Sequence, residues 1–127
     1  MAIVYPIIAR RMEDYYFVRI PAFDTCTEGK DLADAIEMAR DAICLMGLEF
    51  EDAGKPLPDA TPINAEEGDI VTWVDADLIA YRRKYDKKTV KKNCTIPSYL
   101  NYEAEKQGIN FSKVLQDALI EKLGITL

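Results

Sequence analysis

Lys88–Leu123 reads KTVKKNCTIPSYLNYEAEKQGINFSKVLQDALIEKL, and this stretch decides the architecture of the C-terminal third. Lys88 to Ile96 alternates as a short strand: Val90, Cys94 and Ile96 point one way, and Lys91, Asn93 and Thr95 the other. Pro97 stops the strand and suits the first turn of a helix. That helix is predicted over Ser98–Gln107, with Leu100 and Ala104 on its packing side and Gly108 ending it. Asn110 is placed to cap a second helix, whose apolar side carries Phe111, Val114, Leu115, Ala118, Leu119 and Leu123. One strand with two helices leaves its own edges unpaired, and about 40 residues rarely bury a sufficient core alone. Pairing the strands of two chains into an antiparallel ribbon resolves both problems, so a two-fold homodimer is expected. Its core would hold Val90, Cys94, Ile96, Leu100, Val114, Leu115 and Leu119.

Such a ribbon fits the major groove of DNA. Lys91, Asn93 and Thr95 are the candidate base readers: lysine suits guanine, asparagine suits adenine, and threonine offers a methyl or a hydroxyl. The alternative is that they are the polar side of an exposed edge. Phe111, Ser112 and Lys113 form a candidate phosphate clamp, because a helix N-terminus already attracts phosphate. An ordinary exposed helix start is the plainer alternative. Lys92 falls on the inner side of the ribbon and must snorkel outward or reach a phosphate.

Charge separates this tail from the rest. Residues 1–80 hold 17 Asp/Glu and 6 Lys/Arg, while residues 81–127 hold 5 acids and 10 bases. Seven of those bases crowd into Arg82–Lys92; the segment 81–87 reads as a basic linker, and the cluster Arg82–Lys88 either steers a duplex or lines that linker rather than reading sequence. The expected division is a first domain over 1–80, a linker over 81–87 and a DNA-binding, dimerising module over 88–127.

In the acidic part, residues 2–9 (AIVYPIIA) and 15–21 (YYFVRIP) read as strands around a polar hairpin tip. Pro6 cannot donate to a ladder, which predicts an edge strand or a bulge. Tyr16, Val18 and Ile20 share one face of the second strand, and Tyr15, Phe17 and Arg19 share the other, where the aromatics favour a partner surface. A short third strand covers Asp24–Thr27. Asp31 caps a helix running to about Ala53, with Leu32, Ala35, Ile36, Ala39, Ile43, Met46 and Phe50 in one stripe. Gly54, Pro56 and Pro58 end it, and a last strand spans Ile70–Val74. The order β-β-β-α-β predicts an α+β domain with one helix on an antiparallel sheet.

The chain has no histidine, which removes Ser-His and Cys-His nucleophile pairs and the usual imidazole base. Cys26, Cys44 and Cys94 show no paired spacing and read as buried small hydrophobes, so neither a disulfide framework nor a zinc site is expected. Asp14, Asp24, Asp75 and Asp77 are the acids a metal-dependent nuclease would use, but acids at strand ends are more often solvated. No apolar run is long enough to span a membrane, and the start lacks the charged lead of a secretion signal. No cofactor, no metal, no catalysis and a cytoplasmic location are expected.

Two sets of residues resemble known families. Residues 91–123, with their strand before Ile96-Pro97 and the Gly108-Ile109-Asn110-Phe111-Ser112 turn, resemble the ribbon-helix-helix DNA-binding module. Tyr15–Pro21, Gly29–Ala35 and Pro56-Leu57-Pro58 are similar to the HicB family of antitoxins. That family joins a partial RNase H-like domain, which is a scaffold and not a nuclease, to a C-terminal DNA-binding module. The resemblance implies a type II antitoxin that masks a HicA-type ribonuclease toxin and represses its own operon by binding operator double-stranded DNA. The acidic first domain suits a toxin that acts on RNA and therefore carries a basic surface. The alternative is a ribbon-helix-helix transcriptional regulator whose first domain senses a ligand or only oligomerises. Whether dimers join into tetramers stays open.

Overall fold

The computed structural model describes residues 2–126, and the chain divides into two compact units, one ending at Lys87 and one beginning at Lys88. The fold is mixed α+β: among the described residues there are a four-stranded antiparallel sheet and four α-helices.

In the first unit, β1 (Ala2–Arg11) and β2 (Tyr16–Ile20) form a hairpin, closed by the Met12 N–H donating to the Tyr15 carbonyl at 2.8 Å. A 3-10 turn over Pro21–Phe23 follows, then β3 (Thr25–Gly29), the long helix α1 (Leu32–Asp52) and β4 (Asp69–Asp77). The strand order is β3-β2-β1-β4. Period-two alternation sorts the sheet's two faces. Tyr5, Ile7, Ala9, Val18, Ile20, Val74 and Ala76 point to one side, where Ala35, Ala39, Ile43 and Cys44 of α1 complete the core. Asp31 caps α1 as its position in the sequence predicts, its side chain accepting from the Asp34 N–H at 2.8 Å. Phe23 stacks edge-on against both Tyr5 and Phe50, and the Tyr5 hydroxyl donates to the Pro58 carbonyl at 2.6 Å, holding the proline-rich loop to the core.

Pro6 does not sit in an outer strand. β1 is interior, but its ladder with β2 begins only at Ile8 opposite Arg19, so at Pro6 the β2 side is open. The residue keeps the freedom a proline needs through the early departure of β2 into its 3-10 turn.

Of residues 81–87, expected as a linker, 81–85 are helical. Leu78–Tyr85 form a helix, α2, capped by Asp77 and fastened to α1. Leu78 is buried, the Tyr81 hydroxyl donates to Asp41 at 2.8 Å, and Arg82 pairs with Asp52 at 2.6 Å. Asp52 and Glu51 stand at the C-terminal end of α1, where the helix dipole disfavours acids, and Arg82 offsets that charge.

The second unit contains α3 (Ser98–Lys106) and α4 (Phe111–Leu123). Gly108 turns between them at φ 67°, a conformation that costs a side-chain-bearing residue more than glycine. Residues 86–97 form no strand. The expected strand over Lys88–Ile96 needs a ladder partner, and this unit contains no second strand to supply one.

Candidate functional site

Lys91, Asn93 and Thr95 are exposed on the extended segment, as is Lys92. Lys91, Lys92 and Asn93, together with Ser112, Leu115 and Leu119 of α4, line an open cleft of about 510 Å³. Asn110 caps α4, its side chain accepting from the Lys113 N–H at 3.1 Å. Lys113 turns its ammonium to Asp117 one helical turn on, 3.3 Å away. Both side chains are exposed and lysine precedes the acid, the weaker orientation, so the pair contributes a few tenths of a kcal/mol at most.

The residues expected to form a dimer core are uncovered in the single chain. Val90 is 85% exposed, and Ile96, Leu100, Val114, Leu115 and Leu119 are each 40% exposed or more. Cys94 is exposed as well, and so is Cys26 on the outer strand β3; of the three cysteines read as buried, only Cys44 is, and burial pushes its thiol pKa up.

In the first unit the sheet face opposite α1 is exposed on its β4 side, while Pro6 and Ile8 at its centre are buried. Phe17 and Arg19 lie there, as their alternation predicts, with Pro6 and Ile8 of β1 and Val71 and Trp73 of β4. Trp73 is 62% exposed, which no other core-sized aromatic on this sheet approaches. The predicted strand Ile70–Val74 contains Trp73, and its odd parity with respect to the buried Val74 is the signal that marks it. At one end of this face Arg10 donates to Asp69 and Glu66, both at 2.8 Å, and the Arg10 bond holds the Asp69 carboxyl below its usual range.

Among the described residues no group of three or more His, Cys, Asp or Glu is placed to share a metal ion; Asp14, Asp24, Asp75 and Asp77 do not converge. No helix among them is long and apolar enough to cross a membrane. A pocket of about 280 Å³ between α1 and α2 is lined by Asp41, Cys44, Tyr81 and Lys84. Burial and the bond to Asp41 push the Tyr81 hydroxyl up to about 12.

The structural boundary redistributes the charge. The first unit carries 18 acids and 10 bases and the second 4 acids and 6 bases, net −8 and +2. Arg82, Arg83, Lys84 and Lys87 thus belong to the acidic unit, and Arg82 is already paired within it.

These features define a two-unit α+β protein that leaves the β4 side of one sheet face and the apolar residues of its C-terminal unit exposed. Its structural neighbours are HicB antitoxins and toxin–antitoxin complexes. A toxin–antitoxin complex from Streptococcus pneumoniae is similar over 96% of this chain and 99% of that one, with TM-score 0.59 and 21% identity. An antitoxin HicB3 is similar over 98% of this chain and all of its own, with TM-score 0.50 and 26% identity. The antitoxin HicB of Burkholderia pseudomallei is similar over 94% and 95%, with TM-score 0.50 and 20% identity. No protein-family model and no curated protein matches the chain.

Proposed function

We propose that this chain is the antitoxin of a type II toxin–antitoxin pair. The observation that carries the reading is the likeness to the HicB3 antitoxin, which runs through both units and spans that protein's whole length. The first unit, a partial RNase H-like scaffold, masks a HicA-type ribonuclease toxin. Its net −8 suits a partner made cationic by the need to hold RNA. The second unit is a ribbon-helix-helix module. Two copies pair residues 88–96 into a ribbon and cover Val90, Ile96, Leu100, Val114, Leu115 and Leu119, the apolar set that one chain leaves exposed. The dimer represses its own operon: Lys91, Asn93 and Thr95 read base edges, while Lys92 and the Phe111–Lys113 helix start hold phosphates.

Co-expression tests this. The short reading frame beside the gene is expected to encode a growth inhibitor, and the full chain is expected to rescue growth and co-purify with it. A chain lacking residues 88–127 is expected to lose operator binding and to fall to a lower oligomeric state. Rescue by neither form overturns the antitoxin reading.

A further inference from the structure

β4 is an outer strand of nine residues, paired on one side only. Its free side is closed at both ends by the chain itself. The Asp69 N–H donates to the Glu66 carbonyl at 3.0 Å, and Arg40 Nε donates to the Asp75 carbonyl at 2.9 Å. Residues of one parity turn their backbone groups the same way, so Val71 and Trp73, between these two stops, also aim N–H and C=O outward. The register agrees: Trp73 faces Pro6, which has no N–H to give it. The nearest partner to either residue is the Thr72 hydroxyl, 3.5 Å from the Trp73 carbonyl and too long for a strong bond.

Proteins blunt sheet edges against unwanted pairing. This edge is blunted at its ends and open at its middle, and the open window carries Val71, 44% exposed, beside Trp73, 62% exposed. Acids outnumber bases around it: Asp69, Asp75 and Asp77 on the strand and Glu66 and Glu67 just before it, against Arg10, which pairs with Asp69 and Glu66, and Arg40, which pairs with Asp75. A second copy fits the window poorly. It sets one unit of net −8 against another, and pairing antiparallel about Thr72 places Asp69 opposite Asp75 of the other copy.

We propose that the toxin docks by strand addition: an extended, lysine- or arginine-bearing segment pairs with β4 across Val71 and Trp73, with Trp73 as the side-chain anchor on the open sheet face. This rests on the antitoxin reading and names the surface it uses. Main-chain bonds at the window supply affinity without regard to sequence, and the acidic flanks select a cationic strand.

Amide exchange on the full chain tests it, free and mixed with the product of the neighbouring short reading frame. Free, the Val71 and Trp73 amides are expected to exchange quickly. In the complex both are expected to slow by about tenfold or more, as newly paired amides do. Trp73→Lys is expected to weaken association by at least about thirtyfold, the loss of a buried aromatic anchor. A complex in which both amides exchange as in the free chain overturns strand addition and leaves the antitoxin reading standing. No complex with that product overturns both.

Discussion

Pro6 lies directly opposite Trp73 in the β1–β4 register, so a residue without an N–H faces one whose carbonyl turns away from it. The pair is of the non-hydrogen-bonded kind, which brings the two side chains close on the open sheet face. One proline therefore fixes the parity of the whole ladder. Proline at the opposite parity is expected to break it. Thr72→Pro removes an inward N–H that bonds β1 and should cost about 1–3 kcal/mol or more, read as a drop in the urea midpoint. Val71→Pro removes only an outward N–H and should cost clearly less. Equal losses would mean that the parity is reversed.

Gly29 ends β3 where the chain turns into α1, and a Cβ there would lie 2.3 Å from the Ala35 nitrogen and 2.5 Å from its Cα. The obstacle is backbone, so no side chain can swing aside. Ala35 is itself fully buried in the core that joins helix to sheet. Gly29→Ala is therefore expected to destabilise by about 3 kcal/mol, at the upper end of overpacking costs. Thermal unfolding of the variant beside Gly54→Ala, whose surroundings are open, checks it: the latter carries only the strain of a positive φ.

The contrast between well-read and misread elements follows the range of the forces. Asp31 and Asn110 are legible as caps because their partners, Asp34 and Lys113, are three residues away. The α1 stripe is legible because period 3.6 is a local property. The segment Leu78–Tyr85 was hidden under its own charge: Arg82, Arg83 and Lys84 suggest a solvated run, whereas Asp77 as cap with Leu78 and Tyr81 facing inward is the pattern that makes a helix. Its docking depends on Asp41 and Asp52, 40 and 30 residues away, which no local pattern shows. Residues 88–96 alternate legibly, but a strand is completed by its neighbour, and that neighbour is not in the unit. The exposure of Trp73 is hidden for the same reason: exposure on a strand is decided by which face the helix takes.

Acid should loosen the open face at one end first. The bond from Arg10 holds Asp69 ionised below its usual range, so the folded pKa is depressed. A group of this kind stabilises the fold above its unfolded value, about 3.9, and loses that contribution as pH falls toward the folded one. Asp69→Asn is expected to lower stability above about pH 5 and to flatten this part of the acid unfolding curve, so that variant and parent converge as pH falls. An unchanged acid limb would show that the Arg10–Asp69 contact does not persist in solution.

Lys113 sits between two anions that cannot both have it. In the free chain its ammonium meets Asp117 at 3.3 Å; in the proposed DNA complex it meets a phosphate. Replacing the acid removes the competitor while leaving Asn110 to cap the helix. Asp117→Asn is thus expected to tighten operator binding by about twofold to fivefold, the scale of an exposed ion pair, and Lys113→Ala to weaken it and to lower the salt slope by about one. Lys91→Ala, Asn93→Ala and Thr95→Ala should act differently: they relax discrimination between operator and unrelated DNA by about 1–3 kcal/mol each and leave toxin binding intact. Binding isotherms at several salt concentrations, on both kinds of DNA, separate the two classes. If Lys113→Ala changed specificity and left the salt slope alone, the helix start would be reading bases, and the phosphate contacts would have to come from elsewhere among Lys88, Lys91 and Lys92.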